Sequence, residues 1–393
     1  LEADPFLGRV LTGRIHSGVI RPNTKIRSLN RDGALIEETR VTKLLAFRGL
    51  KRTAVEEAAA GDIVAVAGFE RATVADTLTA PSVTKAMPSE PVDPPTLAMV
   101  FSINDSPMAG RDGDKVTSRV IRARLMAEAE GNVAIRINET KNGNGFEVAG
   151  RGELQLGVLI ETMRREGYEM QASQPKVIRR TIDGVLMEPY ERLTIDVLEA
   201  FQGAVIEALG ERGGDLLVVS PVAGNECHLE YVIPTRGVIG LKTELMTSTR
   251  GHAIIHHVFD QYKPVGDDIG PGNIHGSIIA AVPGTSTAYA LNGAQDRGIL
   301  FISPGREVYT GMIIGQHARD LDLEYNVCKT KNLTNMRASG ADDAVVLTTP
   351  KKITLEYALE YIGPDELIEV TPKNIRLRKK FLDANDRKRN KAA

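Results

Sequence analysis

The chain has 393 residues, of which 42% are hydrophobic and 25% charged, and its formal net charge is −2. These totals predict a soluble globular chain of two to four domains and argue against disorder. No run of about 18 apolar residues occurs, so no membrane span is predicted. The start, LEADPFLGRV, has no signal-peptide regions and no initiator Met, so we expect a fragment of a longer protein.

Two features of composition bear on the compartment and the partner. Cys227 and Cys328 stand far apart without a partner motif, which favours packed free thiols in a reducing cytosol. The segment from Lys373 to the C-terminus has nine basic and two acidic residues, a net charge of +7, which leaves −9 for residues 1–372. A basic end on an acidic body favours a polyanionic partner, and a merely solubilising tail is the alternative.

Residues 1–80 are predicted to form many short strands separated by Gly-centred turns, as in VLTGRIHSGVI. The segment AGDIVAVAG is apolar at successive positions, which is typical of a strand buried on both faces. Such a pattern indicates a β-barrel or sandwich. The Pro-rich stretch MPSEPVDPP is a connector and a predicted domain boundary.

Residues 96–172 predict the order β-α-β-β-α-β, a ferredoxin-like split unit. The first helix covers VTSRVIRARLMAEAE, with Asp114 as its cap and an inward face of Val116, Val120, Ala123 and Ala127. The second covers GELQLGVLIETMRREG, with an inward face of Leu156, Leu159, Ile160 and Met163. NGNG, at residues 142–145, predicts a hairpin turn between two strands.

Residues 176–262 are predicted to repeat this plan with a different sequence. The helices cover AFQGAVIEALGERGG and GVIGLKTELMTSTRG, and HAIIHHVFDQY is the last strand. A glycine suited to a left-handed C-terminal turn follows each of the four helices, at Gly131, Gly167, Gly213 and Gly251.

Residues 263–393 are predicted to be β-rich. The expected strands are SIIAAVPG, ILFISPG, VYTGMIIGQ and AVVLTTPKKI. ITLEYALEYI has helical spacing, and DANDRKRNKA predicts a short polar helix or a frayed end.

Motifs of common catalytic sites are absent: the sequence has no GxxxxGK[ST], HExxH, CxxC or GxSxG. The cluster HAIIHHV contains His252, His256 and His257, and packed or surface histidines are favoured over a metal site. GRGEL, at residues 150–154, runs into a helix N-terminus, where a phosphate site is less favoured than a structural turn. An enzyme with an unrecognised site near the histidines stays an alternative.

The polar loop YNVCKTKNLTNMRASGADD is far longer than a plain connection of about four to six residues. Aromatic residues make up 5% of the chain and Trp is absent, so a base-stacking platform is not favoured. Lys and Arg neutralise phosphates while amides and hydroxyls bond sugar and phosphate oxygens, which favours a reader of folded RNA shape over DNA. The candidate RNA-binding residues are Lys329, Lys331, Asn332, Thr334, Asn335, Arg337, Ser339, Lys351, Lys352, Lys373, Arg376, Arg378, Lys379, Lys380, Arg387, Lys388 and Arg389.

Several segments resemble translational GTPases. FLGRVLTGRIHSGVIRPNTKI and VEEAAAGDIVAVAGFERATVADTLT resemble the second-domain barrel of that superfamily, through Gly8, Arg9, Gly13, Gly18, Ile20 and Arg21. AGRGELQLGVLIETMRREGYE resembles the GxGELHL segment of the third domain of elongation factor G, with Gln155 in place of the usual His. EYVIPTRGVIGLKTELMTSTRGHA resembles the fifth domain. Elongation factor G would insert a fourth domain here, and this chain has no room for one after QASQPKVI.

The last 130 or so residues resemble the C-terminal domain of the TypA/BipA family. NLTNMRASGADDAVVL, TLEYALEYI and DELIEVTPKNIRLRKKFLDANDRKRNKA carry this resemblance. It implies a multidomain β and α+β fold: an EF-Tu-like β-barrel (1–90), ferredoxin-like βαββαβ sandwiches similar to domain III (94–175) and domain V (176–262) of elongation factor G, and a β-rich C-terminal RNA-binding domain (263–393).

The resemblance also implies a cytoplasmic factor that docks between the ribosomal subunits and acts in large-subunit assembly and in stress or cold adaptation. Its implied partners are 23S and 16S rRNA, A-site tRNA and ribosomal proteins, with neither membrane nor DNA. The family's loop that reaches the tRNA acceptor arm corresponds to Lys329–Ser339. GTP and Mg²⁺ are implied only for a G domain outside these residues, so this chain is expected to have no cofactor and no GTPase activity alone. A GTP-independent RNA-binding assembly scaffold is the alternative.

Overall fold

The computed structural model describes residues 1–4, 6–49, 51–90, 92–222, 224–266, 276–330 and 346–391. The chain divides into two compact units. Unit 1 consists of Leu1–Pro95, Arg119–Asn138 and Ala149–Arg151, and unit 2 of Thr96–Ser118, Glu139–Val148 and Gly152–Ala393. Among the described helices, none combines the length and the apolar character that a membrane crossing requires.

The first 80 residues form short antiparallel strands, as the sequence predicts. They are β1 (Glu2–Asp4), β2 (Gly8–Arg14), β3 (Val19–Ile20), β4 (Lys25–Leu29), β5 (Leu35–Arg40), β6 (Lys43–Arg48), β7 (Lys51–Ala54), β8 (Ala58–Ala59), β9 (Ile63–Phe69) and β10 (Thr77–Thr79). One sheet has the order β1-β2-β9-β6-β7, a second has β10-β4-β5, and β3 pairs with β8.

Strand β9 is buried on both faces from Val64 to Ala67, which confirms the interpretation of AGDIVAVAG there, whereas Ile63 at its start is exposed. Val64 and Val66 pack into the main core of unit 1, together with Leu11, Ile26 and Leu44. The alternate residues Ala65 and Ala67 pack into a smaller cluster on the opposite face with Val10. Side chains alternate across a strand, so the continuous apolar run supplies both clusters.

The next stretch follows the predicted element order. It contains β11 (Leu97–Ile103), α1 (Ser118–Gly131), β12 (Arg136–Glu139), β13 (Phe146–Gly150), α2 (Glu153–Arg165), β14 (Met170–Ser173) and β15 (Lys176–Val177). The inward face of α2 is confirmed. The start and inward face predicted for α1 are wrong: the helix begins at Ser118, four residues after Asp114, and its buried residues are Ile121 and Leu125. Both the predicted and the observed set of apolar residues have helical spacing, so periodicity alone did not show which set faces the core.

The second αβ segment lies wholly in unit 2. It comprises β16 (Arg180–Ile182), β17 (Val185–Leu198), a 3-10 turn (Glu199–Phe201), α3 (Gln202–Glu211), β18 (Asp215–Val222), β19 (Glu226–Pro234), α4 (Thr235–Val238), α5 (Leu241–Ser248) and β20 (Ile254–Pro264). The four long strands have the order β18-β19-β17-β20, all antiparallel. Helices α3 and α5 supply Val205, Leu209, Leu241 and Leu245 to the core on one face.

The segment GVIGLKTELMTSTRG is not one helix, contrary to the prediction. The chain leaves α4 at Ile239 and passes through Gly240, whose φ of +69° is left-handed, before α5 begins. Gly167, Gly213 and Gly251 also take positive φ values, as predicted for helix ends. Gly131 does not have a positive φ and is instead the last residue of α1.

The C-terminal segment is a mixed αβ structure. Its elements are β21 (Ser277–Ala280), β22 (Gly284–Thr285), α6 (Ala288–Gln295), β23 (Gly298–Leu300), β24 (Glu307–Val308), β25 (Met312–His317), β26 (Leu323–Tyr325), α7 (Leu355–Tyr361), β27 (Glu366–Val370), β28 (Ile375–Lys379) and α8 (Ala384–Lys391). The prediction missed α6, and the described part of AVVLTTPKKI, from residue 346 on, is not a strand.

One sheet continues from the first αβ segment, residues 97–177, into the C-terminal segment. In unit 2 its strand order is β13-β11-β14-β27-β28-β25-β21-β26. The joint is the antiparallel pair β14–β27, in which Met170 lies opposite Val370 and Ser173 opposite Leu367. Two segments that the sequence predicts as separate domains therefore share a backbone hydrogen-bond ladder.

Candidate nucleic-acid interface

Four of the candidate RNA-binding cations are held by carboxylates inside unit 2. Arg376 contacts Glu369 at 2.7 Å and Asp112 at 3.0 Å. Arg378 contacts Asp105 at 2.6 Å. Arg387 contacts Glu324 at 2.7 Å and donates to the carbonyls of Phe381 and Leu382. Each of these guanidinium groups already has structural partners.

Lys379 is the fourth internal cation, with a side chain only 3% exposed. Its Nζ lies 2.8 Å from Asp322 and Glu366 and 3.1 Å from Asp365. Burial opposes the charge, but Glu366 and Asp322 outweigh it and raise the pKa of Lys379. The lysine therefore stays charged as a structural counter-ion, out of reach of a phosphate.

Glu369 is the centre of this buried polar network and is fully buried. Its carboxylate accepts hydrogen bonds from Asn104, Ser106 and Tyr309 as well as from Arg376. Burial and the neighbouring Glu369 raise the pKa of Tyr309, so its hydroxyl remains a donor. Sequence reasoning missed Glu369, because a single acid in a strand carries no signal of its burial.

Seven candidate cations remain exposed in the described chain: Lys329, Lys351, Lys352, Lys373, Lys380, Lys388 and Arg389. Lys351 already makes a cation–π contact, because its Nζ lies 3.6 Å from the centre of the Tyr357 ring. Burial also lowers the pKa of Lys351. Lys388 and Arg389 lie on α8, where Arg389 makes a long contact of 3.6 Å with Asp386. These cations are free of the buried network.

Helix α6 contacts described residues on both sides of residues 331–345. At its N-terminus, the Thr287 hydroxyl donates to the carbonyl of Lys329, and the Thr287 amide donates to Val327 at 2.9 Å. At its C-terminus, Gln295 donates to the carbonyl of Val346 and accepts from the amide of Thr348, both at 3.1 Å. The other loop candidates, Lys331, Asn332, Thr334, Asn335, Arg337 and Ser339, lie outside the described residues.

The histidine cluster occupies separate environments. His252 precedes β20 and stacks on Phe201 with ring centres 6.0 Å apart. His257 pairs with Glu191, and that hydrogen bond raises the pKa of His257. His256 lies opposite Thr194 in the sheet. Across the residues that the structure describes, no three His, Cys, Asp or Glu side chains come close enough to hold a metal ion.

The GRGEL segment forms the entry to α2, with Gly152 in extended backbone and Glu153 in the first turn. The carboxylate of Glu153 accepts a hydrogen bond from the Gly240 amide. An acid at a helix N-terminus interacts favourably with the helix dipole. The Glu153 carboxylate therefore lies against the Gly240 turn at the entry to α2.

Three family profiles match the chain. Elongation factor Tu domain 2 matches residues 8–79, the elongation factor G C-terminus matches residues 185–271, and the TypA/BipA C-terminal domain matches residues 275–384. The fold is thus a multidomain, β-rich assembly of translation-factor domains.

Curated relatives extend the match across nearly the whole chain. The large ribosomal subunit assembly factor BipA of Synechocystis sp. is 49% identical over 379 residues, covering 96% of this chain and 63% of the relative. Its namesake in Escherichia coli K12 is 47% identical over 393 residues, covering 99% and 64%. That of Haemophilus influenzae is 48% identical over 390 residues, covering 99% and 63%. The chain belongs to the TypA/BipA family, and it spans just under two thirds of the length of these relatives.

Proposed function

We propose that this chain is the ribosome-binding portion of a translational GTPase that acts in assembly of the large ribosomal subunit. The observation that carries the proposal is the 47–49% identity, over 96–99% of the chain, to relatives named as large ribosomal subunit assembly factors. Ribosome assembly in bacteria takes place in the cytoplasm, which is where we place the chain, and a role in stress or cold adaptation belongs to the same proposal.

The fold we propose in full is an EF-Tu-like barrel, two ferredoxin-like sandwiches and a β-rich C-terminal domain. Support for the second sandwich is its strand order β18-β19-β17-β20 with two helical connections on one face. In this arrangement the domains dock in the cleft between the ribosomal subunits, against rRNA and ribosomal proteins. The loop rooted on α6 contacts the acceptor arm of A-site tRNA.

The exposed cations are the phosphate contacts in this proposal. They are Lys329, Lys352, Lys373, Lys380, Lys388 and Arg389. Lys351 also belongs to this set, although its ammonium group makes a cation–π contact with Tyr357. Lys331 and Arg337 join them from the loop. The internal pairs of Arg376, Arg378, Lys379 and Arg387 support a different role for those four, which is to hold the domain in shape.

GTP and Mg²⁺ belong, in this proposal, to the G domain of the full-length protein. The chain itself contains no GxxxxGK[ST] sequence, and we expect it neither to bind nor to hydrolyse GTP. Titration calorimetry of the chain with GTP and Mg²⁺ checks this, and a saturable heat of binding would contradict it.

The binding test is sedimentation of the chain with purified large ribosomal subunits at several salt concentrations. We expect Lys329→Ala, Lys331→Ala and Arg337→Ala together to weaken binding. Each phosphate that is no longer neutralised should flatten the log–log salt dependence by about 0.7–0.9. The charge-matched control replaces Lys85, Lys141 and Lys176, which are exposed and outside the proposed set. Equal affinity and slope in the two triple variants would make the loop a spacer rather than an RNA-binding element.

A further inference from the structure

A cavity of about 1280 Å³ lies within unit 2, between α2, α5 and α7. Five carboxylates and five Lys or Arg side chains line it, so its charge does not favour an anionic or a cationic ligand. At one place, however, two carboxylates from different helices meet at the same turn. These are Glu153, the first residue of α2, and Glu360 of α7, and the turn is the left-handed Gly240 between α4 and α5.

The contacts at this turn join three segments. The Glu153 carboxylate accepts from the Gly240 amide, while its Oε1 is buried and has no hydrogen-bond partner among the described residues. Glu360 accepts from the Thr243 hydroxyl at 2.6 Å. A Cβ atom on Gly240 would lie 3.8 Å from Cγ of Glu360. Helices α2 and α7 also pack closely at Gly157. A Cβ atom added to this glycine would lie 3.5 Å from the Leu359 side chain.

The other charged groups that act on Glu153 come from the second sandwich. His257 of β20 is held by Glu191 of β17. Arg212, which follows α3, is 7% exposed and is held by Glu244 at 2.6 Å and by the carbonyls of Gly237 and Ile239. Glu153 thus faces one carboxylate and two cationic or protonatable groups, all with fixed partners.

We propose that Glu153 is a proton-operated latch, which holds α2, α7 and the Gly240 turn together while protonated and loosens their junction when it ionises. The cause is the cost of placing a second negative charge beside Glu360 at a site with an unsatisfied, buried oxygen. Parting of the helices would admit water to the ionised carboxylate.

The titration behaviour supports this role. Burial, followed by the charge of Glu360, raises the pKa of Glu153 from 4.5 to about 7. Burial also raises the pKa of Glu360. A carboxyl whose pKa is higher in the folded state stabilises the fold most at low pH, and this contribution falls as pH rises from about 4.5 to about 7. The raised pKa of His257 acts in the same direction, since its positive charge is lost as pH rises through that pKa.

Hydrogen exchange of the whole chain, corrected for the intrinsic pH effect, tests the latch. Between pH 5.5 and pH 8, we expect protection of the α5 and α7 amides to fall in the wild type. The fall should be about tenfold for each pH unit between pH 5.5 and the Glu153 pKa of about 7. Glu153→Gln mimics the protonated acid, so its protection should fall less than in the wild type over this range, and only the contribution of His257 should remain. An unchanged pH dependence in Glu153→Gln would overturn the proposal.

Two further variants separate the latch from a general effect of charge. Glu161→Gln is the matched control on the same helix, because hydrogen bonds from Arg164 hold the pKa of Glu161 at about 2. It should keep the wild-type pH dependence. Glu360→Gln removes the like charge, so the loosening should move to lower pH than in the wild type. A midpoint in Glu360→Gln equal to that of the wild type would show that the two carboxyls are not coupled, and would contradict the latch even if Glu153→Gln failed to fold.

Discussion

Lys373 and Arg376 lie only three residues apart, yet their side chains differ in exposure and in ion pairing. Lys373 is exposed before β28, whereas the side chain of Arg376 is 13% exposed and is held by Glu369 and Asp112. Desolvated arginine of this kind is stable only with paired carboxylates. The basic C-terminal segment therefore contains two groups of cations, one held by carboxylates inside the domain and one exposed at its surface.

Glu369→Ala tests the internal population. Removing this fully buried carboxylate leaves Arg376, Asn104 and Ser106 short of an acceptor. We expect the free energy of unfolding to fall by about 3–5 kcal/mol, as is usual when one member of a buried ion pair is removed. Urea denaturation followed by circular dichroism measures it, since the chain has no Trp for fluorescence.

The control for this change is Glu307→Ala. Glu307 pairs with Arg111 at 2.8 Å, but both side chains are more than half exposed. Exposed pairs contribute about 0–1 kcal/mol, so the midpoint should barely move. A loss in Glu369→Ala no larger than in Glu307→Ala would mean that water replaces the carboxylate in the network.

At the scale of elements, α6 holds the described residues on both sides of the candidate RNA-binding loop. The helix is eight residues long, and the anchors of the loop lie at its two ends, Thr287 and Gln295. Its Thr287 side chain caps the helix by accepting from the Ala290 amide. The residues that flank the loop are therefore bonded to a helix that is itself fixed, because Leu291 and Ala294 of α6 pack in the core.

Gln295→Ala should weaken binding to large ribosomal subunits without altering its salt dependence. The variant loses the hydrogen bonds to Val346 and Thr348, each worth about 0.5–1.5 kcal/mol, so we expect a loss of affinity of about fivefold or more. Because no charge is removed, the log–log slope should match the wild type in the sedimentation assay. Tyr289→Ala, at an exposed position of α6, is the control and leaves both of these hydrogen bonds in place. A flattened slope in Gln295→Ala would indicate that fewer phosphates are neutralised, and not merely that the loop has shifted.

At the scale of unit 2, one hydrogen-bonded sheet contains strands of the first αβ segment and of the C-terminal segment. The ladder β14–β27 contains four residue pairs, from Met170–Val370 to Ser173–Leu367. Backbone ladders of this kind open cooperatively with the core that they cover. We therefore expect these two segments to open as one unit.

Hydrogen exchange offers a direct check of that continuity. We expect the amides of β14 and β27 to exchange at similar rates through one opening event, and Glu369→Ala to accelerate both together. The amides of β19, in a separate sheet of unit 2, serve as the internal reference. Acceleration confined to β27 would show that the C-terminal segment opens alone and that the ladder is only an edge contact.

The sequence by itself determined the elements whose signal is local. The continuous apolar run of β9 predicted burial on both faces, and the stripe Leu156, Leu159, Ile160 and Met163 predicted the inward face of α2. Family segments were also recognisable, because their motifs are continuous in the chain. Where two stripes competed, as in α1, or a glycine stood inside a helical pattern, as at Gly240, the local signal was ambiguous.

Only the tertiary structure decided which cations are free and which carboxylates are buried. Arg376 meets Asp112 across 264 residues of sequence, and Asn104 meets Glu369 across 265. Glu153 and Glu360 are likewise brought together by the packing of α2 and α7 around Gly240. Whether a charged side chain is buried or paired depends on neighbours that are distant along the chain. Composition therefore gave the sign of the net charge of the C-terminal segment, while the fold decided which of its charged side chains stay exposed.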